Sequence, residues 1–248
     1  MKRNPLLLLT FSAVILFSAC KESNEDFKTA ELSEYYPLEV GKYITYNLDS
    51  TIFVDFGASS EVHSYQVKYE TDAQMTDNLG RPAYRIIRYI RNNDTQPWAS
   101  DATFMATNTG TSLEFLENNF RYIKLHQPVR DNYSWKGNAY IETYSINTEF
   151  RYLDDWDYIY ENVDQPDQVG GFTLDSCLTV NQRDELIGDI NDPNTYSEVN
   201  LGREKYARGI GMVYRKFFHS EYQPPTTGQG GYFVTGSYGV EYTMIDHN

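Results

Sequence analysis

The segment Tyr206-Ala-Arg-Gly-Ile-Gly-Met-Val-Tyr-Arg-Lys-Phe217 carries the pattern that determines the fold class. After Gly209 and Gly211, the side chains fall on two alternating faces, Met212, Tyr214, Lys216 and Phe218 on one and Val213, Arg215, Phe217 and His219 on the other. A period of two is typical of a β-strand. The two glycines permit a bulge or a backbone conformation that other residues avoid. The segment therefore predicts a bent strand in a large sheet, with a ligand-contacting glycine pair as the alternative.

The same alternation recurs along most of the chain from Tyr35 onward, without long helical periodicity. Turn-forming residues such as Asn78-Leu-Gly-Arg-Pro82 and Asn191-Asp-Pro-Asn194 separate the apolar runs. The predicted strands are Tyr43–Phe56, Glu61–Thr71, Ala83–Arg91, Ala102–Thr107, Ser112–Phe115, Tyr122–Leu125, Ala139–Tyr152, Trp156–Asn162, Phe172–Asn181, Ser197–Leu201, Glu204–Tyr206, Gly211–Tyr222 and Tyr232–Ile245. Short turns between strands favour an antiparallel meander over βαβ units. We predict one all-β domain over residues 35–248, with a large antiparallel, curved or barrel-like sheet and little helix outside the signal peptide. Glu114–Phe120 is open to a second interpretation, as one short helical turn.

The chain begins with a pattern typical of an exported lipoprotein. Lys2 and Arg3 precede an apolar run over residues 6–19, and the small pair Ser18-Ala19 stands directly before Cys20. The run has only 14 residues, whereas a spanning helix needs about 20. We therefore predict a signal peptide over residues 1–19 and lipid attachment at Cys20. An ordinary secretory signal cut elsewhere and an uncleaved anchor are the alternatives.

Residues 20–34 are polar and acidic, and they predict a flexible tether between the lipid and the domain. The cluster of Glu22, Glu25 and Asp26 resembles the signal that sends lipoproteins to the cell surface in Bacteroides-type bacteria. An ordinary solvated linker explains the same cluster equally well. The predicted location is thus the cell envelope, lipid-anchored in the outer membrane, with surface exposure left open.

Charge excludes one large class of partners. The chain has 35 acidic and 21 basic residues, a net charge of −14, and removal of Lys2 and Arg3 with the signal peptide makes it −16. Such an acidic body repels nucleic acid and anionic lipid headgroups. We expect no nucleic-acid partner, and contact with the membrane only through the lipid on Cys20.

Motifs for catalysis or metal binding are missing from the sequence. The four histidines have no ligand spacing, and a calcium loop starting at Asp189 would place Asn194 and Asn200 where glycine and glutamate are required. Cys177 is the one cysteine besides Cys20, and its strand-like surroundings predict a small buried core residue. We predict no cofactor, no metal and no catalytic residues. Two carboxylates for glycoside hydrolysis would leave no sequence signature, so a hydrolase remains an alternative.

Aromatic side chains are the one excess that suggests binding. The chain contains 22 Tyr, 13 Phe and 3 Trp residues. Tyr and Trp stack on sugar faces or grip protein partners. The candidate binding face consists of Trp135, Tyr140, Trp156, Tyr158 and Tyr160. The alternative is that these rings form cross-strand pairs that stabilise the sheet.

Several of these segments together resemble a family. Tyr36-Pro-Leu-Glu-Val-Gly-Lys-Tyr43 resembles the YPL-x-x-G-x-Y opening of uncharacterised Bacteroidota exported lipoproteins. Residues 128–138, 158–166 and 239–248 are similar to the same group, and the Gly-Ile-Gly-x-Val stretch at 209–213 is the sharpest match. The resemblance implies an exported β-rich lipoprotein and no known catalytic residue. Ile44 departs from it, because such openings often carry Trp there.

The sequence therefore predicts a non-enzymatic envelope lipoprotein that binds a glycan or a partner protein. A lipid-binding half-barrel that carries acyl chains is the second hypothesis, and a hydrolase is the third. Each predicts a different surface. Glycan binding needs exposed, coplanar Tyr and Trp, lipid binding needs a dry aliphatic cleft, and hydrolysis needs converging acids or a Ser/His pair in a pocket.

Overall fold

The computed structural model describes residues 29–248, and nearly all of its regular structure is β-strand. The only α-helix there is the four-residue α1, Leu32–Tyr35, with two 3₁₀ turns at Asp55–Gly57 and Arg151–Leu153. The strands are β1 (Tyr43–Val54), β2 (Ser59–Thr76), β3 (Pro82–Arg91), β4 (Ala99–Asn108), β5 (Ser112–Glu117), β6 (Phe120–His126), β7 (Ser134–Trp135), β8 (Tyr158–Val169), β9 (Phe172–Gly188), β10 (Ser197–Ala207), β11 (Gly211–Gln223), β12 (Tyr232–Phe233) and β13 (Tyr238–His247). The prediction of an all-β fold with little helix is confirmed.

All strands belong to one antiparallel sheet that is nearly closed into a barrel. Its order is β6-β5-β4-β3-β2-β1-β13-β11-β10-β9-β8-β7, with β12 paired to β11. The chain thus forms two meanders, β1–β6 and β7–β11, and β13 joins them. At the remaining seam, the Ile123 N–H donates to Gly137 O at 2.8 Å, and Trp135 Nε1 donates to Ile123 O at 2.8 Å. These bonds bring the two edges of the sheet together.

Because neighbouring strands alternate in direction, the connections fall into two groups at opposite ends of the barrel. We call one the N-terminal end, because the first described residues lie there, and the other the cleft end, because a cleft opens there. The N-terminal end carries residues 29–42 and the connections 77–81, 109–111, 127–133, 170–171 and 208–210. The cleft end carries the connections 55–58, 92–98, 118–119, 136–157, 189–196 and 224–237.

The first described residues pack onto the N-terminal end, which corrects the prediction of a tether reaching residue 34. Leu32 and Tyr35 are fully buried, and Ala30 forms a β-bridge with Val129. The Gly209 N–H donates to Glu34 O at 2.6 Å, and Tyr35 Oη donates to Asp164. Two apolar side chains among the polar residues are enough to attach this segment to the barrel. The tether residues 20–28, and Cys20 with them, lie outside the described residues.

One strand prediction was wrong, and one alternative interpretation does not hold. The range Ala139–Tyr152 is a series of turns that leads into the 3₁₀ turn Arg151–Leu153, and Ile141 and Leu153 are buried in the main core cluster. Thr143 Oγ1 donates to Asp154 Oδ1 at 2.8 Å. A side-chain hydrogen bond thus stabilises this loop, whereas a strand would form backbone hydrogen bonds with a neighbouring strand. Glu114–Phe120 is a hairpin and not a helical turn, because Asn118 and Asn119 both adopt positive φ between β5 and β6.

No helix within the described range has the length and apolar character required to cross a membrane.

Candidate functional site

The predicted aromatic binding face does not exist, because four of its five rings lie in the core. Trp135, Trp156, Tyr158 and Tyr160 are all buried, and each polar atom is bonded internally. Tyr158 Oη donates to Asn138 Oδ1 at 2.9 Å, and Tyr160 Oη donates to His126 O at 2.9 Å. The reason is the period of two, which turns Tyr158 and Tyr160 of β8 together towards the barrel interior. Tyr140 alone is exposed, at 57 %, with Arg121 over its ring.

Gly209 and Gly211 have a structural place at a hairpin turn, so the prediction of one bent strand was wrong. Gly209 lies in the turn between β10 and β11, and Gly211 is the first residue of β11, with φ values of +76° and +124°. The predicted bulge occurs just beyond them. Lys205 pairs with Tyr214 and Tyr206 with Met212, which leaves Val213 as the extra residue. The predicted alternation of faces is confirmed, since Val213, Phe217 and His219 are buried.

The centre of the barrel holds a buried ion network. Glu204 is fully buried, and Lys124 Nζ lies 2.5 Å from its carboxylate. Tyr206 Oη donates to the other oxygen at 2.6 Å. Arg215 adds a second cation at 3.7 Å and pairs with Glu117 at 3.1 Å.

This network is closed to ligands. Burial acts to raise the pKa of Glu204, but Lys124, Arg215 and the hydrogen bonds from Lys124 and Tyr206 outweigh it, so the pKa is lowered. The cavity beside these residues measures about 20 Å³. That volume is enough for about one water molecule. We therefore read the network as part of the packing.

Cys177 is buried, as the sequence predicts, and burial raises the pKa of its thiol to about 11. It is therefore a neutral thiol at physiological pH and a poor nucleophile. Nearby, an outer depression of about 430 Å³ runs along β8, and Lys205 Nζ pairs with Asp167 there at 2.6 Å. Of the other charged residues in that depression, Arg203 pairs with Asp184 at 3.8 Å, and Glu161 accepts a hydrogen bond from Asn181 Nδ2 at 3.0 Å.

A cleft of about 500 Å³ opens at the cleft end of the barrel. It has the volume of a small-molecule site. Its walls come from the segment 136–157, from β10 and β11, and from the connection 224–237. The lining residues are Thr148, Glu149, Arg151, Tyr152, Glu198, His219, Glu221, Val234, Thr235 and Gly236.

Two carboxylates face each other in the cleft wall. Glu198 of β10 and Glu221 of β11 are directly opposite partners in the sheet register. Neutral donors hold them: Tyr196 Oη and Asn200 Nδ2 donate to Glu198 at 2.9 and 2.7 Å. Gln223 Nε2 donates to Glu221 at 2.9 Å. Within residues 29–248 neither carboxylate forms an ion pair, although directly opposed like charges are destabilising.

His219 lies directly beneath this pair. It is 8 % exposed and stacks on the ring of Tyr152, with centroids 3.9 Å apart. Its Nδ1 lies 2.7 Å from Asn200 Oδ1, and Asn200 Nδ2 is directed at Glu198 and Glu185. With its amide nitrogen so engaged, Asn200 offers its oxygen to His219, so Nδ1 carries the proton. Burial lowers the pKa of His219, although Glu198 acts to raise it, and the neutral ring keeps Nε2 as a hydrogen-bond acceptor.

The connections and strand ends at the cleft end of the barrel display exposed apolar side chains. Phe56 is fully exposed at the β1–β2 turn, with φ of +58°. Others stand on the segment 136–157 and around the β9–β10 turn: Tyr140, Tyr144, Ile146, Leu186, Ile187, Ile190 and Tyr196. We call these eight residues the apolar rim.

Sequence reasoning missed the cleft, although one signal was present. Glu198 and Asn200 share a face by the period of two, as do His219 and Glu221. Counting outwards from the turn at Gly209 pairs these residues only after one bulge residue is inserted. Nowhere in residues 29–248, the cleft included, are three His, Cys, Asp or Glu side chains grouped so as to hold a metal ion.

No family model matches this chain, and no curated protein matches it. The resemblance to Bacteroidota exported lipoproteins therefore stays a prediction from the sequence.

Proposed function

We propose that this protein is a non-enzymatic binding protein of the bacterial cell envelope, anchored in the outer membrane through a lipid on Cys20. The cleft at the cleft end is its binding site, for a glycan or a partner protein. The observation that carries the proposal is a cleft of about 500 Å³ whose wall presents Glu198 and Glu221 without an ion-pair partner in residues 29–248.

The position of the described N-terminal residues supports this arrangement. Residues 29–36 pack against the end of the barrel opposite the cleft. A tether that leads from Cys20 to residue 29 would reach the barrel at that end. The cleft would then point away from the membrane, where a ligand can approach it.

The lipid-carrier hypothesis finds no support in the barrel interior. The cavities between Tyr36, Tyr46 and Tyr69 measure only about 20 and 30 Å³, although apolar side chains such as Met212 and Ile86 line them beside the tyrosines. An acyl chain needs a continuous apolar channel, and none of the cavities described offers one.

A hydrolase is the second candidate, because the cleft unites acids with a histidine. Glu149, Glu198 and Glu221 line it together with His219, whose Nε2 accepts protons. Our proposal expects no turnover of chromogenic glycosides or esters. Turnover that is lost in His219→Gln but kept in Glu39→Gln would establish the hydrolase instead.

The anchor is tested by changing Cys20→Ser in the native host. We expect the protein to leave the membrane fraction and to lose labelling by a palmitate analogue. Membrane association unchanged by the substitution would contradict the anchor.

The cleft is tested with the Cys20→Ser chain on a glycan array and by crosslinking to envelope proteins. We expect a bound glycan or protein whose signal falls at least tenfold in the double variant Glu198→Gln/Glu221→Gln. Glu39→Gln removes one carboxylate at the opposite end of the barrel and should leave binding unchanged. Equal binding by all three chains would place the ligand elsewhere.

A further inference from the structure

Glu198 and Glu221 have no ion-pair partner within residues 29–248, and the surroundings of the cleft indicate which kind of molecule supplies a cation. We propose that the cleft end docks a partner protein that inserts an Arg or Lys side chain between Glu198 and Glu221. This inference rests on the proposed function and names the ligand of the same cleft.

The charges of the cleft favour a basic group. Three acids, Glu149, Glu198 and Glu221, line it with one base, Arg151. On the neighbouring pair of strands, Glu241 of β13 has Lys216 of β11 directly opposite, with Nζ 3.2 Å from its carboxylate. At Glu198 and Glu221 only neutral donors are present, and each carboxylate keeps acceptor sites free. A cation between them would remove the like-charge repulsion.

The floor of the cleft fits the same ligand. His219 Nε2 is an acceptor, because Nδ1 donates its proton to Asn200. An ammonium or guanidinium group has only donors, whereas a carboxylate or phosphate would meet a lone pair there. Tyr152 and Val234 provide apolar surface beside this atom. Lys and Arg have methylene stems that pack along such surface while the charged head is bonded.

The apolar rim selects a protein over a small cation or an amino sugar. Side chains such as Phe56, Tyr144 and Ile146 stand fully or mostly exposed at the same end as the cleft. Large apolar side chains around a polar centre are typical of protein interfaces, where a few aromatic and Arg anchors carry most of the binding energy. A free cation would gain nothing from them. An anionic lipid surface is disfavoured by the acidic cleft.

The partner is sought with a phage-displayed library of random 12-residue peptides, selected on the Cys20→Ser chain. We expect the recovered peptides to share one Arg or Lys with apolar neighbours. The best peptide, labelled with fluorescein, should bind at least tenfold more weakly when citrulline replaces its Arg, or glutamine its Lys. Binding of the unaltered peptide should weaken as much on the variant Glu198→Gln/Glu221→Gln and should be unchanged on Glu39→Gln.

Further measurements distinguish failure of this inference from failure of the proposed function. Ile146→Ser should weaken binding of the peptide several-fold. It should leave unchanged the binding of methylguanidinium, which carries the charged group of Arg without apolar neighbours. Thermal melts check that each variant is folded. A consensus without a basic residue, or one also recovered on the double variant, would overturn the inference. A glycan bound in the cleft without any peptide would also overturn it, while the proposed function would stand. Loss of both kinds of binding would remove both proposals.

Discussion

At the scale of single residues, the ion pair formed by Lys124 and Glu204 is costly to bury. Both side chains are buried in the barrel interior and lie 2.5 Å apart. Taking two charges out of water costs several kcal/mol each, and their mutual attraction repays this cost only with good geometry and additional hydrogen bonds. Tyr206 and Arg215 supply those additional contacts. The desolvation cost of each charge is therefore offset only while both residues are present.

We predict that Glu204→Met lowers the free energy of unfolding by about 3–5 kcal/mol, because it leaves the Lys124 ammonium buried beside Arg215. The double variant Lys124→Met/Glu204→Met should recover most of that loss. Urea denaturation of the two single variants and the double variant measures the coupling. A double variant as unstable as the sum of the single ones would refute the interpretation.

The lowered pKa of Glu204 gives the same pair a pH dependence. The unfolded state takes up a proton near the ordinary Glu pKa, about 4.3, while the folded state does so at lower pH. The contribution of Glu204 to stability is thus complete above that value and is lost as the pH falls through the folded-state pKa. In the double variant Lys124→Met/Glu204→Met this portion of the acid sensitivity should disappear from unfolding curves measured between pH 6 and pH 3. A curve with unchanged acid sensitivity would assign it to other carboxylates.

At the scale of elements, the β10–β11 hairpin connects the two ends of the molecule. Its turn carries Gly209, which bonds the N-terminal segment, and its far end carries Glu198 and Glu221 of the cleft. The bulge at Val213 shifts the register by one residue between these points. That shift is what sets Glu198 against Glu221 and Asn200 against His219.

We predict different costs for alanine at the two turn glycines. Gly209→Ala should lose roughly 1–2 kcal/mol, the cost of a left-handed backbone, because no atom lies within 4 Å of the added Cβ. Gly211→Ala should lose more, since its φ of +124° lies beyond the left-handed region and its Cβ would stand 3.0 Å from Ile44 Cδ1. Gly209→Asn is the control and should be milder than Gly209→Ala, because Asn tolerates positive φ. Thermal melts that rank the three variants otherwise would refute this account of the turn.

At the scale of the whole molecule, the segment 29–36 closes the end of the barrel that the cleft does not occupy. Leu32 and Tyr35 are buried within the main core cluster, and Arg208 joins Glu34 to Asp164. The N-terminal segment thus belongs to the folded domain, which begins several residues earlier than the sequence pattern suggests.

We predict that a chain beginning at residue 29 keeps the stability of the Cys20→Ser chain, whereas one beginning at residue 36 loses roughly 3–6 kcal/mol. The estimate counts Leu32 and Tyr35 at about 1.5–3 kcal/mol for each large side chain no longer buried. Urea denaturation compares the three chains, with the Cys20→Ser chain as reference. Equal stability of all three would mean that the segment only rests on the surface.

Sequence by itself determined the fold class, the antiparallel meander, the alternating faces of β11 and the burial of Cys177. These follow from side-chain period and turn residues, which are local properties. Only the tertiary structure decided which face of β8 lies inside, so that Tyr158 and Tyr160 became core, and that Trp135 and Trp156 pack against them. It also decided that Lys124 meets Glu204 across 80 residues, and that Glu198 meets Glu221 in a cleft. The physical reason is that a period of two places residues on a shared face, whereas bulges and barrel closure set which face is inward and which residues are neighbours.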